Sequence, residues 1–200
     1  MPKLIKYVLL FLSLLIIYCA PNYSAIKEPE QPRKQPIVVS IDREFSIEQQ
    51  FMIEKAFSAW EDVSNNTIKF IIIWEQAKPG MASEFYQLDG DEGIFMFYVS
   101  KEDRSQITEG VYNKIHRYLG LVVSADDSAS IFIFKEISSE LFYNVVLHEI
   151  GHLLGLPHNL SKHGTIMHPS ATTTNCITQW DAKQLCDIYN CAPVPECITI

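Results

Sequence analysis

The 200-residue sequence predicts one α/β (α+β) domain of about five strands and three helices. Two observations carry that expectation. Five short runs are rich in β-branched or aromatic residues, and one long helical stretch lies between the first two of them, with two more towards the C-terminus. Helices interleaved with strands indicate a mixed arrangement rather than a sandwich. With 48% hydrophobic and 20% charged residues, a chain of this length can bury a sizeable core.

IVVSI at 37–41 reads as the first strand, since β-branched residues dominate and Pro36 precedes them. Ser46 opens a helix, with Gln49 three residues on as its capping-box partner. Ile53, Ala56, Phe57, Trp60 and Val63 then recur at spacings of three and four, a buried stripe that ends at Asn65 and Asn66. Trp60 reads as core. IKFIIIW at 68–74 and IFMFYV at 94–99 read as strands buried on both faces, and LGLVV at 119–123 and IFIF at 131–134 complete the set. A second helix is expected over 140–154. A third is expected in TQWDAKQLCDIY, with Thr178 as N-cap and Asp181 at N3.

The N-terminus reads as a targeting segment. Lys3 and Lys6 precede an apolar run from Val8 to Ile17, the layout of a secretory signal over residues 1–20. That run is shorter than the roughly 20 residues of a comfortable membrane span, although counting from Leu4 leaves an uncleaved anchor open. Cys19 follows Ile16, Ile17 and Tyr18, a context that resembles a bacterial lipoprotein site except that Tyr18 stands where a small residue is expected. Lipid anchor and discarded signal-peptide cysteine both stay open. Residues 21–36 form a Pro-rich linker, a stiff extended spacer over IKEPEQPRKQP, and residues 37–200 form the folded domain. Cys176, Cys186, Cys191 and Cys197 read as two disulfides in an exported chain, with three connectivities open. A four-cysteine zinc site is disfavoured, because paired C-x-x-C spacing is absent. Net charge is −8, and −10 once residues 1–19 with their two lysines are set aside. An acidic chain without a basic patch excludes nucleic acid as the expected partner.

HEIGHLLGLPH at 148–158 carries the chemistry. His148 and His152, four apart on a helix, lie about 40° apart around the axis and share a face. Two imidazoles presented so can share one tetrahedral zinc at about 2.0–2.1 Å. In a continued helix His158 would sit about 15 Å further along, so it contributes only if the chain turns back. Gly155 permits that turn and Pro157 prevents the helix from resuming. Three protein ligands leave a fourth position for water, the pattern of a catalytic site. Glu149 is placed to take that water's proton and hand it to a leaving amine, which points to peptide-bond hydrolysis.

HEIGHLLGLPH matches the H-E-x-x-H-x-x-G-x-x-H signature of the metzincin zinc peptidases, and Met167 in GTIMHP resembles their Met-turn. Within that clan the chain resembles the matrixins most: SIEQQFMIEKAFSAWEDVSNNTIKF is similar to their first helix and following strand. The resemblance implies a mixed, twisted sheet of about five strands with three helices, the active-site helix being followed by the Met-turn. It implies one catalytic zinc on His148, His152 and His158, Glu149 as general base, and Met167 as the hydrophobic floor. Three departures accompany it. No P-R-C-G-x-P-D-like cysteine switch precedes the domain, Pro169 stands where astacins place a tyrosine ligand, and the stretch 101–118 offers only His116 towards a second zinc.

Agreement at five fixed positions would arise by chance at a given start with probability on the order of 10⁻⁶ or less. His163 and His168 flank the motif and read as surface or cleft residues. Asp89, Asp91, Glu92, Asp126 and Asp127 read as solvated surface, since the EF-type spacing of a calcium loop is missing. Substrate preference is expected in the region 119–134 and in PSATTTN. The expected protein is a monomeric, exported or envelope-anchored zinc endopeptidase acting on proteins or peptides, with membrane attachment through the N-terminus left open. The alternative is a secreted or envelope protein that holds zinc without catalysis.

Overall fold

A computed structural model describes residues 32–77, 93–100, 119–125, 127–135, 137–161, 164–170 and 174–194. Cys19, His116, His163, Cys197 and the acidic residues Asp89, Asp91, Glu92 and Asp126 lie outside the described residues. Among the described residues the chain runs β1 (Ile37–Asp42), α1 (Ile47–Val63), β2 (Phe70–Glu75), β3 (Ile94–Val99), β4 (Gly120–Ala125), β5 (Ser128–Phe134), α2 (Ser139–Leu153) and α3 (Gln179–Tyr189). No helix among them is long and apolar enough to cross a membrane.

The five strands form one sheet in the order β2-β1-β3-β5-β4. Every neighbouring pair is parallel except β4 and β5, which pair antiparallel from Gly120 opposite Ile133 to Ala125 opposite Ser128. Strand alternation sorts side chains onto two faces. Val39, Ile41, Met96, Ile131 and Ile133 join the core beneath α1 and α2, while Phe97, Val99, Phe132 and Phe134 form a second apolar cluster on the opposite face.

The expected elements are present with small shifts at their ends. Ser46 and Gln49 form the capping box of α1, each side chain accepting from the other's backbone N–H. Ile53, Ala56, Phe57, Trp60 and Val63 are all buried. Trp60 is core as expected, and its indole N–H donates to Leu147 O at 3.0 Å, which joins α1 to α2. α3 starts at the capping box of Thr178 and Asp181.

β3 is buried on both faces, but β2 is not. Its residues alternate between half-buried and exposed, with Ile71 at 47% and Ile73 at 45%. Among the described residues β2 has a single neighbour, so a run of isoleucines that would suit a central strand lines an edge instead. The spacer reading also changes at its end. Arg33 is buried, and Gln35 Oε1 accepts from Lys69 N at 2.8 Å, which lays residues 33–36 against the domain.

Cys186 and Cys191 are joined by a disulfide with a Cα–Cα distance of 4.5 Å, closing the turn after α3. This removes the connectivities that would separate them. Cys176 is also disulfide-bonded.

Candidate metal centre

α2 follows its N-cap residue Ser138 and runs across the core on Phe142, Val145, Val146, Ile150 and Leu153. His148 and His152 lie on the helix face left over by that packing. The helix then ends in a Schellman turn, in which Leu156 N donates to Gly151 O at 2.9 Å and Gly155 N to His152 O at 3.0 Å. Gly155 occupies the left-handed region at φ 94°, where a side chain would be strained, so the turn expected from Gly155 is present. Beyond it the chain doubles back and is held by Asn159 N donating to Met167 O at 2.8 Å.

This turn brings the three imidazoles together. His148 Nε2 is 3.3 Å and His152 Nε2 is 3.1 Å from His158 Nε2, and the group forms the one candidate metal cluster among the described residues. The opposite ring nitrogens are already engaged. His148 Nδ1–H donates to Ile166 O at 2.6 Å, and His152 Nδ1–H donates to Leu156 O at 2.8 Å. A proton on Nδ1 leaves the Nε2 lone pairs of His148 and His152 free and turned towards His158 Nε2, a donor set that suits a cation. Burial keeps the rings neutral. It lowers His148, pushes His152 down to about 3 and His158 to about 4, and mutual repulsion among the rings adds to the shift.

Glu149 is buried beside this group, and burial pushes its carboxyl up to about 8. β4 covers it closely. A Cβ on Gly120 would lie 2.6 Å from Glu149 Oε1 and 2.7 Å from its Cγ, so a side chain there would have to displace the Glu149 carboxyl. Met167 is fully buried below the helix, and its sulfur occupies the space a Cβ on Gly151 would need. Asp181 fixes that floor. Its Oδ2 accepts from Thr178 N, Thr178 Oγ1 and Ile166 N, and its Oδ1 accepts from Met167 N at 3.4 Å. The peptide of Ile166 thus accepts from His148 at one end and donates to Asp181 at the other.

All of Glu149, His148, His152, His158, Gly155 and Met167 therefore converge. Two flanking expectations are refined. His168 is buried rather than superficial, its Nδ1 accepting from Ser170 N at 3.2 Å, and it lies near enough to His148 and His158 to lower both. Asp127 is exposed and pairs with Lys34 at 3.8 Å, which is the solvated role expected of it. Gly120, Gly151 and the reach of Asp181 were missed. A glycine inside a strand or helix is the sequence signal for a close approach, and both glycines carry it.

The matrixin family model matches residues 38–190, well over half of the chain. This chain belongs to the matrixin family. It is accordingly a zinc metalloendopeptidase whose substrates are proteins or peptides, and the three-histidine group fits the zinc of that family. A comparison with curated proteins returns no match. Among solved structures this matrixin is similar to high choriolytic enzyme 1, a hatching enzyme zinc-protease from Oryzias latipes, the medaka fish. Identity is 13%, with 81% of this chain and 94% of that one covered and a TM-score of 0.46. It is also similar to myroilysin, at 13% identity, 77% and 79% coverage and a TM-score of 0.41.

Proposed function

We propose that this matrixin cleaves peptide bonds at the cluster of His148, His152 and His158, with Glu149 as general base. The observation that carries the reading is the convergence of the Nε2 atoms of His148, His152 and His158 beside the buried carboxyl of Glu149. His148, His152 and His158 would hold the zinc, which would supply Lewis acidity towards a carbonyl and a bound water.

The residues do the rest. Ile166 O and Leu156 O hold the imidazoles of His148 and His152 in the tautomer that presents Nε2. Burial of Glu149 favours its protonated form. That makes the carboxylate a willing acceptor for the proton of the attacking water, and the resulting acid can pass the proton to the leaving amine nitrogen. A cation held by the histidines would act against the effect of burial and lower the Glu149 carboxyl. Gly120 and Met167 keep the carboxyl and the helix from drifting.

Export belongs to the same proposal. The charged and apolar N-terminal run supports it, and Cys19 offers a site for lipid attachment. Size comparison of the exported and unprocessed chains, with labelling by a fatty-acid analogue, separates cleaved, lipidated and uncleaved forms.

Glu149→Gln should keep stoichiometric zinc and lose peptide cleavage by about 10³-fold or more, since it removes the acid–base group while conserving shape. The measurement is zinc content by atomic emission beside turnover of a peptide library, with and without chelator. Parent-like cleavage by that variant would end the Glu149 assignment. A parent chain that binds zinc and cleaves nothing would favour the silent zinc-binding alternative.

A further inference from the structure

Arg33 lies ahead of β1, in the segment that sequence alone reads as a spacer, yet it is 9% exposed. Its guanidinium makes contacts in three directions. Nε–H donates to Leu153 O at 2.9 Å, Nη1–H donates to Asp127 O at 3.0 Å, and Nη2 lies 3.5 Å from Ser124 Oγ. Leu153 is the last residue of α2, Ser124 lies in β4, and Asp127 is in the turn between β4 and β5.

The last four carbonyls of a helix lack helical partners. In α2 three of them are met by the chain's own turn: Ile150 O by Leu154 N, Gly151 O by Leu156 N and His152 O by Gly155 N. Leu153 O is the fourth, and it takes Arg33. The cation also stands at the negative end of the helix dipole. This is the turn that reverses the chain towards His158 and supplies Leu156 O to His152. The guanidinium's other end holds the hairpin whose strand β4 covers Glu149 through Gly120. Arg33 is itself anchored, because Gln35 Nε2 donates to Arg33 O at 3.2 Å while Gln35 Oε1 accepts from Lys69 N. The exposed pair of Lys34 and Asp127 adds little.

We propose that Arg33 is a positioning residue of the active site, a fork that locks the ligand-bearing turn of α2 to the β4–β5 hairpin, so that the catalytic unit begins before Ile37. The proposal rests on the peptidase reading above but names a residue outside its motif. A planar fork with several fixed donors is required, which a lysine does not provide.

The test compares full-length parent, Arg33→Ala and Arg33→Lys, each loaded with zinc. Three readouts are taken: zinc affinity by chelator competition, amide exchange along the chain, and kcat with KM on one peptide. Arg33→Ala should bind zinc about 10-fold more weakly, a typical loss when a support of a metal ligand is removed. Exchange should quicken at Leu154, Gly155, Leu156 and the β4–β5 turn while α1 and β1 keep parent rates, and kcat should fall more than KM rises. Added ethylguanidinium should recover part of the zinc affinity. Arg33→Lys should lie between Ala and parent, and it decides the matter if Arg33→Ala does not fold. Parent-like zinc affinity and exchange in the folded variants would overturn the proposal, as would exchange raised evenly over the whole chain. A parent that cleaves no peptide, with local loosening still seen in Arg33→Ala, would instead overturn the peptidase reading and leave the fork standing.

Discussion

Among the described residues β2 and β4 are the two edges of one sheet, and they have been put to opposite uses. β2 is parallel to β1 and carries isoleucines into solvent at Ile71 and Ile73. β4 is antiparallel to β5 and brings a glycine against the buried Glu149. The apolar edge looks like core and behaves as surface, whereas the edge that opens with a glycine shapes the site. Hydrophobicity therefore reports where a strand can be buried, and side-chain volume reports what it must leave room for.

The sharpest way to break this contrast is to add volume at each edge. Gly120→Val should push the Glu149 carboxyl out of place and lower kcat by about 10²-fold, the order expected from a displacement of an ångström in a catalytic group. Zinc content should change little, since the three atoms nearest a Cβ on Gly120 all belong to Glu149 and none to a histidine. Steady-state kinetics beside metal analysis checks this, and an unchanged kcat would refute the close packing of Gly120 on Glu149.

Gly151→Ala tests the other close approach. Helix propensity alone would predict stabilisation of about 1 kcal/mol. The added methyl meets Met167 and Trp60, however, so the expected result is destabilisation of about 1–3 kcal/mol by overpacking. Urea denaturation decides between the two signs.

The metal-free protein should also reveal which edge shelters titrating groups. Glu149 has a folded pKa of about 8 above its ordinary 4.5, so its proton stabilises the native state, fully so below 4.5, and that contribution is lost as pH rises through about 8. His152 and His158 are depressed from 6.5 to about 3 and about 4, so their contribution is complete above 6.5 and is lost as pH falls towards those values. Thermal denaturation of the chelated protein should therefore give a midpoint highest between these limits. Glu149→Gln should remove the alkaline decline and keep the acid one. A midpoint in the chelated parent that stays flat from pH 6.5 to pH 8 would contradict the buried carboxyl.

At β2 the effect should be smallest. Ile71→Thr and Ile73→Thr replace half-exposed side chains with β-branched polar ones and should alter stability by no more than about 0.5 kcal/mol, with activity unchanged. A loss like that of Gly120→Val would mean that β2 is covered after all.

Much of this was legible in the linear chain, because it rests on short-range rules. Spacing of three and four fixed the stripe of α1, the pairs Ser46 with Gln49 and Thr178 with Asp181 marked helix starts, and HEIGHLLGLPH held its own turn in Gly155 and Pro157. A histidine pair on one helix face followed by a forced reversal needs no knowledge of the rest of the fold. The tertiary structure alone decided the rest, since contacts across the chain depend on strand order. It placed IKFIIIW at an edge, brought Gly120 over Glu149, carried Asp181 beyond its cap to Ile166 and Met167, and took Arg33 from an apparent spacer to the end of α2. Local propensity has a range of a few residues, while packing joins positions 120 residues apart, as Arg33 and Leu153 are.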